Sequence, residues 1–233
     1  MTNTGFRIYT KFNRPSRSVV EGFRGIPVAN IDDCMNRSAC IDAKIRPLNK
    51  APLLGTAFTV KARPGDNLLL YKAIEMAQTG DVVVVAVQGE LSNAVTGQLM
   101  ITRAKQRGIA GLVIDGAVRD SDAIKNMDIP VYAVGTTSNG PYKEGPGEIN
   151  VPVALGGIVV NPGDILVGDA DSVVVINPRE AADIMERAKA VVAKELGIMK
   201  AIESNSWDIS WVDKMLKEKG CEFIEAAWDD RGY

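Results

Sequence analysis

The sequence predicts an α/β domain in β/β/α layers: a short parallel sheet with flanking helices and a second set of short strands. Three observations point to it. The run 82–87, and 111–114 of a second strand that ends at Asp115, are unbroken and apolar, the pattern of strands buried on both faces. A helical pattern at 97–107 separates them, and strand, helix, strand within about forty residues is a crossover unit that makes the two strands parallel. Residues 157–176 then hold three short apolar runs divided by the turns Asn161-Pro162-Gly163-Asp164 and Gly168-Asp169-Ala170-Asp171.

Taken in order, residues 1–24 read as a partly helical N-terminal surface arm, in which Arg7, Lys11, Arg14, Arg17 and Arg24 alternate with Phe6, Tyr9 and Phe12. A helical signal over 27–42 follows Pro27, with its start near Ile31 or Asp32. Residues 54–61 alternate and are rich in β-branched side chains, so a strand is expected there. Pro64-Gly65-Asp66-Asn67 is a turn, and 68–78 a helix closed by Gly80. After the strand 82–87 come a small-residue loop, 89–96, and the helix 97–107 with Thr96 as its cap. The strand 111–115 ends at Asp115-Gly116, read as a tight turn that delivers Arg119 and Asp120.

Residues 121–127 predict a short helix and 130–134 a third parallel strand. Residues 135–150 form a loop rich in glycine and proline. Its Gly145-Pro146-Gly147 lacks the preceding strand and following Lys-Ser/Thr of a phosphate loop. Short strands follow at 157–160, 164–167 and 172–176, their aspartates serving the turns. A long helix runs from Pro178 to about 204, with Ala181, Ile184, Met185, Ala188, Val191, Val192 and Leu196 at a 3.6-residue period. The tail holds Trp207, Trp211 and Trp228, and a helix over 209–219 packs on the domain or docks on a neighbouring subunit. The expected organisation is an N-terminal arm 1–24, a domain 25–204 and a C-terminal helical arm 205–233.

Composition narrows the function. A net charge of -2 over 233 residues gives no reason to expect nucleic acid or an anionic membrane as partner. No apolar run is long enough to span a bilayer, and the opening MTNTGFRIYT lacks a signal-peptide core. Three cysteines suit reduced thiols, so a cytoplasmic location is expected. The chain has no histidine, which excludes histidine triads, histidine zinc sites and histidine general bases. Proton transfer falls to carboxylates, lysine, tyrosine, cysteine or metal-bound water.

In parallel sheets ligands sit beyond the carboxyl ends of the strands, so the loops 89–97 and 115–120 should face one pocket. The amides of Gly97, Gln98 and Leu99 start a helix and suit an anion. Arg119 offers a planar fork to a carboxylate. Asp120 is a hard oxygen ligand of the kind magnesium or manganese takes. Together they suggest a small anionic oxo-acid.

The run G-E-L-x-x-A-x-x-G-x-L at 89–99, followed by R-G-x-x-G-x-V-x-D-G-x-V-R-D at 107–120, resembles the class II 4-hydroxy-4-methyl-2-oxoglutarate aldolases. Their relatives include the regulator of ribonuclease E activity A. The resemblance spans roughly 25–200, with further echoes at Pro64-Gly65-Asp66-Asn67, Gly80-Asp81-Val82 and both turns above. It implies a swivelling β/β/α fold and homotrimers, or dimers of trimers, with sites at subunit boundaries. It implies a divalent metal, Mg2+ or Mn2+, held by Asp120, and Arg119 binding substrate and stabilising enolate charge. It implies that Gly97, Gln98 and Leu99 donate amides to the substrate carboxylate. Glu195, in AKELGIMK, matches a metal-site glutamate supplied by a neighbouring subunit's C-terminal helix.

The function implied is a metal-dependent carbon-carbon lyase acting on a pyruvoyl-type oxo-acid, by retro-aldol cleavage to pyruvate, by oxaloacetate decarboxylation, or both. Gln98 stands where aldolases of the family often carry an acid, so the base is expected elsewhere, with Glu90 one candidate. A Schiff base on Lys61 is the alternative electron sink. The alternative function is a non-catalytic regulator that binds a ribonuclease; regulator-type relatives tend to lack the acid after the arginine, and Asp120 is present. Relatives are also labelled methyltransferases, but no strand here leads into a glycine-rich cofactor turn.

Overall fold

The computed structural model describes residues 3–228. Residues 1, 2 and 229–233, expected in the two arms, lie outside the described residues. The chain forms two compact units, Met1–Val191 and Val192–Tyr233. In the first, β1 (Phe6–Ile8), α1 (Arg17–Glu21), α2 (Val28–Asp33) and β2 (Arg46–Pro47) precede the core. The core is β3 (Leu53–Ala62), α3 (Leu68–Met76), β4 (Asp81–Ala86), β5 (Ala94–Thr96), α4 (Gln98–Gln106), β6 (Gly111–Val118), α5 (Ser121–Lys125) and β7 (Val131–Thr136). Five short strands follow: β8 (Gly147–Ile149), β9 (Val153–Leu155), β10 (Ile158–Val160), β11 (Ile165–Gly168) and β12 (Val173–Ile176). The unit boundary falls inside α6 (Ala181–Glu203), and α7 (Trp211–Glu218) lies in the second unit.

The strands β3, β4, β6 and β7 are neighbours and run parallel, with a helix in each connection. Their side chains divide between two cores because successive residues of a strand face opposite sides. Val83, Val85 and Val87 join Leu70 and Ile74 of α3 and Ile101 and Ala104 of α4. Val82, Val84 and Ala86 join Val153, Leu155, Val173 and Val175 of the later strands. Each buried valine contributes about 1.5–3 kcal/mol relative to exposure. The result is the expected β/β/α order of layers, helices on one face and short strands on the other.

Residues 6–8 are part of this sheet: β1 pairs parallel with β8, and β8 pairs antiparallel with the end of β3. Arg14 is held too. Its Nε and Nη2 donate to the two oxygens of buried Asp81 at 2.9 and 2.7 Å. A bidentate arginine pair of this kind fixes orientation as well as charge.

Several local expectations are corrected. Asp115-Gly116 is no turn; both residues lie inside β6, and the pairing register shifts between Ile114 and Ala117. The glycine serves close packing, since a Cβ there would lie 2.5 Å from Val87 Cγ2 and 3.0 Å from the Glu90 carbonyl. The helix after Pro27 begins at Val28 and ends at Asp33. Pro178 precedes α6 in a turn, where Asn177 Oδ1 accepts the Arg179 amide at 3.0 Å. The turn aspartates do act locally: Asp164 accepts the Asn161 amide at 2.7 Å, and Asp169 that of Asp171 at 2.9 Å.

Candidate active site

The loops 89–97 and 115–120 meet because their strand ends are neighbours. The strand β5 pairs with the end of β6, Ala94 with Ala117 and Thr96 with Val118. The Arg119 amide extends that ladder by donating to the Thr96 carbonyl at 3.0 Å. At Asp120 the backbone turns left-handed, φ 61° and ψ 39°, and opens α5. That conformation costs an L-residue roughly 1–2 kcal/mol, least for Asn and Asp. Gly97 faces the turn. A Cβ on it would lie 2.5 Å from Asp120 Oδ2 and 2.8 Å from Arg119 Cγ, so a larger residue would push both side chains away.

The helix start differs from expectation in one respect. Its N-cap is Gly97, and no side chain of its own chain position caps it. The buried Thr96 hydroxyl has no hydrogen-bond partner. Asp120 does the capping from across the gap, its Oδ2 accepting the Gln98 amide at 2.9 Å. One of the three amides expected to hold an anion is therefore already taken by a carboxylate. The first intrahelical bond is from Ile101 to Gly97, 3.1 Å, so the Leu99 and Met100 amides lie ahead of the ladder. Arg119 Nε is 3.8 Å from the same Asp120 oxygen, and both side chains are about half exposed.

The cleft around this pair has a volume of about 160 Å³, and its lining includes residues the sequence reading left out: Asn67, Tyr71, Met100 and Lys143. Asn67 is 1% exposed; its Nδ2 donates to the Val95 carbonyl at 3.0 Å while its Oδ1 has no partner. Asn67 and Thr96 both line this cleft, and each keeps a buried oxygen without a partner, Oδ1 and Oγ1. Leaving such a buried atom unsatisfied costs about 1–3 kcal/mol. Lys143 reaches the cleft because Asp66 holds its loop. The fully buried Asp66 carboxylate accepts the amides of Leu68 at 2.9 Å, Glu144 at 2.6 Å and Gly145 at 2.9 Å. The only sequence signal for this was the Pro64-Gly65-Asp66-Asn67 motif, read as a turn.

Two other candidates of the first unit are not part of the cleft lining, and a third belongs to the second unit. Glu90 folds back on its own loop, where hydrogen bonds from Ser92 hold its carboxyl below the usual range. Lys61 lines a different cleft. Glu195 is carried by α6 within the second unit.

Among the described residues, no three or more of Asp, Glu, Cys or His gather as a ready-made metal cage. The donor set at the cleft is one carboxylate, with only Oδ2 of Asp120 engaged by Gln98 and Arg119. A single carboxylate suits a hard cation that keeps several waters and takes its remaining oxygens from the substrate, the habit of magnesium.

Comparison with known proteins adds to this geometry. Residues 28–175 match the family model RraA-like: Aldolase/RraA. A Halalkalibacterium halodurans protein that carries the provisional name 4-hydroxy-4-methyl-2-oxoglutarate aldolase is 38% identical over 196 residues, 83% of this chain and 93% of that one. An uncharacterized Pseudomonas syringae protein of solved structure superposes with a TM-score of 0.74 at 28% identity, covering 83% of this chain and 96% of that one. Streptomyces coelicolor RraAS2, described as an unusual member of the RNase ES inhibitor RraA protein family, superposes with a TM-score of 0.72 at 26% identity, covering 80% of this chain and all of that one.

Proposed function

The chain belongs to the RraA-like family, Aldolase/RraA, and from that premise we propose that it is a carbon-carbon lyase acting on a small pyruvoyl-type oxo-acid. The observation that carries the reading is the meeting of Arg119 and Asp120 with the α4 start.

In retro-aldol cleavage a base takes the C4 hydroxyl proton, the C3–C4 bond breaks, and its electron pair moves towards the C2 carbonyl. Protonation at C3 then yields pyruvate. In oxaloacetate decarboxylation the same electron pair comes from the bond to the departing carbon dioxide. Both reactions need negative charge stabilised at the C2 oxygen. A divalent cation, Mg2+ or Mn2+, held by Asp120 with waters and substrate oxygens, would supply the electrophile there. Arg119 binds the substrate carboxylate and stabilises the growing charge through its guanidinium fork. The Leu99 amide and the helix start complete the anion site, and Lys143 adds a second cation to the rim. Gln98 accepts no proton, so the aldol reaction draws its base from water or another carboxylate. A glutamate of a second subunit, Glu195, fits that role or a place at the metal in a homotrimer or dimer of trimers.

Pyruvate release from oxaloacetate and from 4-hydroxy-4-methyl-2-oxoglutarate tests the reading. Activity is expected to fall away on chelation and to return with magnesium or manganese. No pyruvate from either substrate with metal present would favour the second reading, a regulator that binds a ribonuclease, which the likeness to the Streptomyces protein supports.

A further inference from the structure

A second cleft lies on the opposite face of the sheet, and nothing in the lyase reading uses it. Its volume is about 430 Å³, in the range of small-ligand sites. It shares no lining residue with the cleft at Arg119. Its floor is set by strand register. Arg7 on β1 pairs with Glu148 on β8, Glu148 with Lys61 on β3, and Lys61 with Ala86 on β4. Val85 pairs with Ile114, which brings Ala86 level with Asp115 on β6. Five side chains thus form one row across the sheet, with charges plus, minus, plus, a methyl group, minus.

The left of the row is satisfied. Arg7 Nε donates to Glu148 Oε1 at 2.5 Å, and Lys61 Nζ lies 4.0 Å from Glu148 Oε2. The right is not closed. Lys61 and Asp115 stand two strands apart, about 10 Å between their Cα atoms at ordinary strand spacing. Only the methyl of Ala86 lies between them. The Asp115 carboxylate is held by the backbone amides of Val87, Gln88 and Gly89, and no cation among the described residues pairs with it. The position also lies at the carboxyl ends of parallel strands, where such sheets bind ligands.

We propose that this cleft binds a small zwitterionic α-amino acid, its carboxylate on Lys61 and its ammonium on Asp115. A purely anionic ligand would leave the Asp115 carboxylate beside a second negative charge. A purely cationic one would oppose Lys61. A zwitterion completes the alternation that Ala86 interrupts. Pro152, Val153 and Ala154 add an apolar wall, which suits a short aliphatic side chain. Gly156 and Gly157, at φ 53° and 81°, turn the β9–β10 hairpin at the mouth without side chains.

The test is calorimetric titration of the full chain at about pH 8, where Asp115 is ionised. The probes are glycine, L-alanine and L-valine, with propionate and isobutylamine as analogues that each lack one charge. At least one amino acid should bind, and both analogues should bind at least about tenfold more weakly. Lys61→Met, at an exposed position, and Ala86→Val, which fills the gap, should each weaken binding by about tenfold or more. Asp115→Asn should do the same, and the other two variants decide the matter if it fails to fold. No binding of any amino acid up to ~10 mM, equal binding of propionate, or unchanged binding in both Lys61→Met and Ala86→Val overturns the proposal. These are binding measurements, so their outcome does not depend on the lyase reading.

Discussion

Asp120 Oδ2 accepts the backbone N–H of Gln98 at 2.9 Å, so the carboxylate that follows Arg119 caps a helix in another part of the chain. Neither Thr96 nor Gly97 supplies a capping side chain. One side chain thus links the stability of α4 to the charge of the cleft. Asp120→Ala removes both functions and should lower stability by about 1 kcal/mol. Asp120→Asn keeps an oxygen for the amide and loses the charge. It should melt close to the parent while pyruvate release falls by about a hundredfold or more. Equal turnover in Asp120→Asn would remove the carboxylate from the chemistry.

Arg119 should be the most costly side chain to lose. In the proposed mechanism it would supply a preorganised cation where charge grows, worth about 3–4 kcal/mol for one lost donor. Arg119→Ala should lower turnover roughly a hundred- to a thousand-fold, and Arg119→Lys should recover only part, since the fork is gone. Its side chain is half exposed, so the melting temperature should hardly move. A folded Arg119→Ala with most of its turnover would place the active site elsewhere.

Gly97→Ala tests the close approach independently of charge. The added methyl would sit 2.5 Å from Asp120 Oδ2, and the residue's extended backbone, φ -162°, carries no strain of its own. The expected outcome is a folded protein whose turnover drops at least about tenfold because Arg119 and Asp120 are displaced. An unchanged turnover would show that their present positions are not needed.

Gln98→Glu should raise aldol cleavage more than oxaloacetate decarboxylation. Only the aldol reaction removes a hydroxyl proton, so only it gains from a carboxylate at that position. Parallel rate measurements on the two substrates decide this. Equal changes in both would show that the side chain acts on binding alone.

Asp115 gives the fold a pH dependence of definite sign. Burial pushes its carboxyl up to about 6 from the usual 3.8, against the pull of the Val87, Gln88 and Gly89 amides. The folded state therefore holds the proton more tightly than the unfolded one. The stability gained is fully present below the unfolded value and is lost as pH rises through about 6. Relative to Asp115→Asn, the parent should gain melting temperature as pH falls from about 7 to about 4. A difference that stays flat over that window would contradict the burial of this carboxyl.

Much of the layer plan was legible in the chain. The alternation of Val82 to Val87 between two apolar cores needs only the two-residue period of a strand, and the crossover at 82–115 needs only spacing. The same local cues pointed to Gly97, Arg119 and Asp120 at adjacent strand ends. Local cues also misled. An Asp-Gly pair signals a turn in isolation, yet at 115–116 it sits within β6 because Gly116 must admit Val87 and Glu90. Thr96 reads as a cap by position, yet its hydroxyl is buried and Asp120 does that work.

What the sequence alone determined is whatever a short window encodes: strand and helix periods, small residues at loops, and the absence of histidine. The tertiary structure decided which distant groups share a hydrogen bond. It set Asp66 on the amides of Glu144 and Gly145, bringing Lys143 beside Asn67, and it aligned Arg7, Glu148, Lys61, Ala86 and Asp115 in one row. Such pairings follow from strand register and from the cost of burying an unpaired polar group. Both are properties of the packed sheet, and no local stretch of chain carries them.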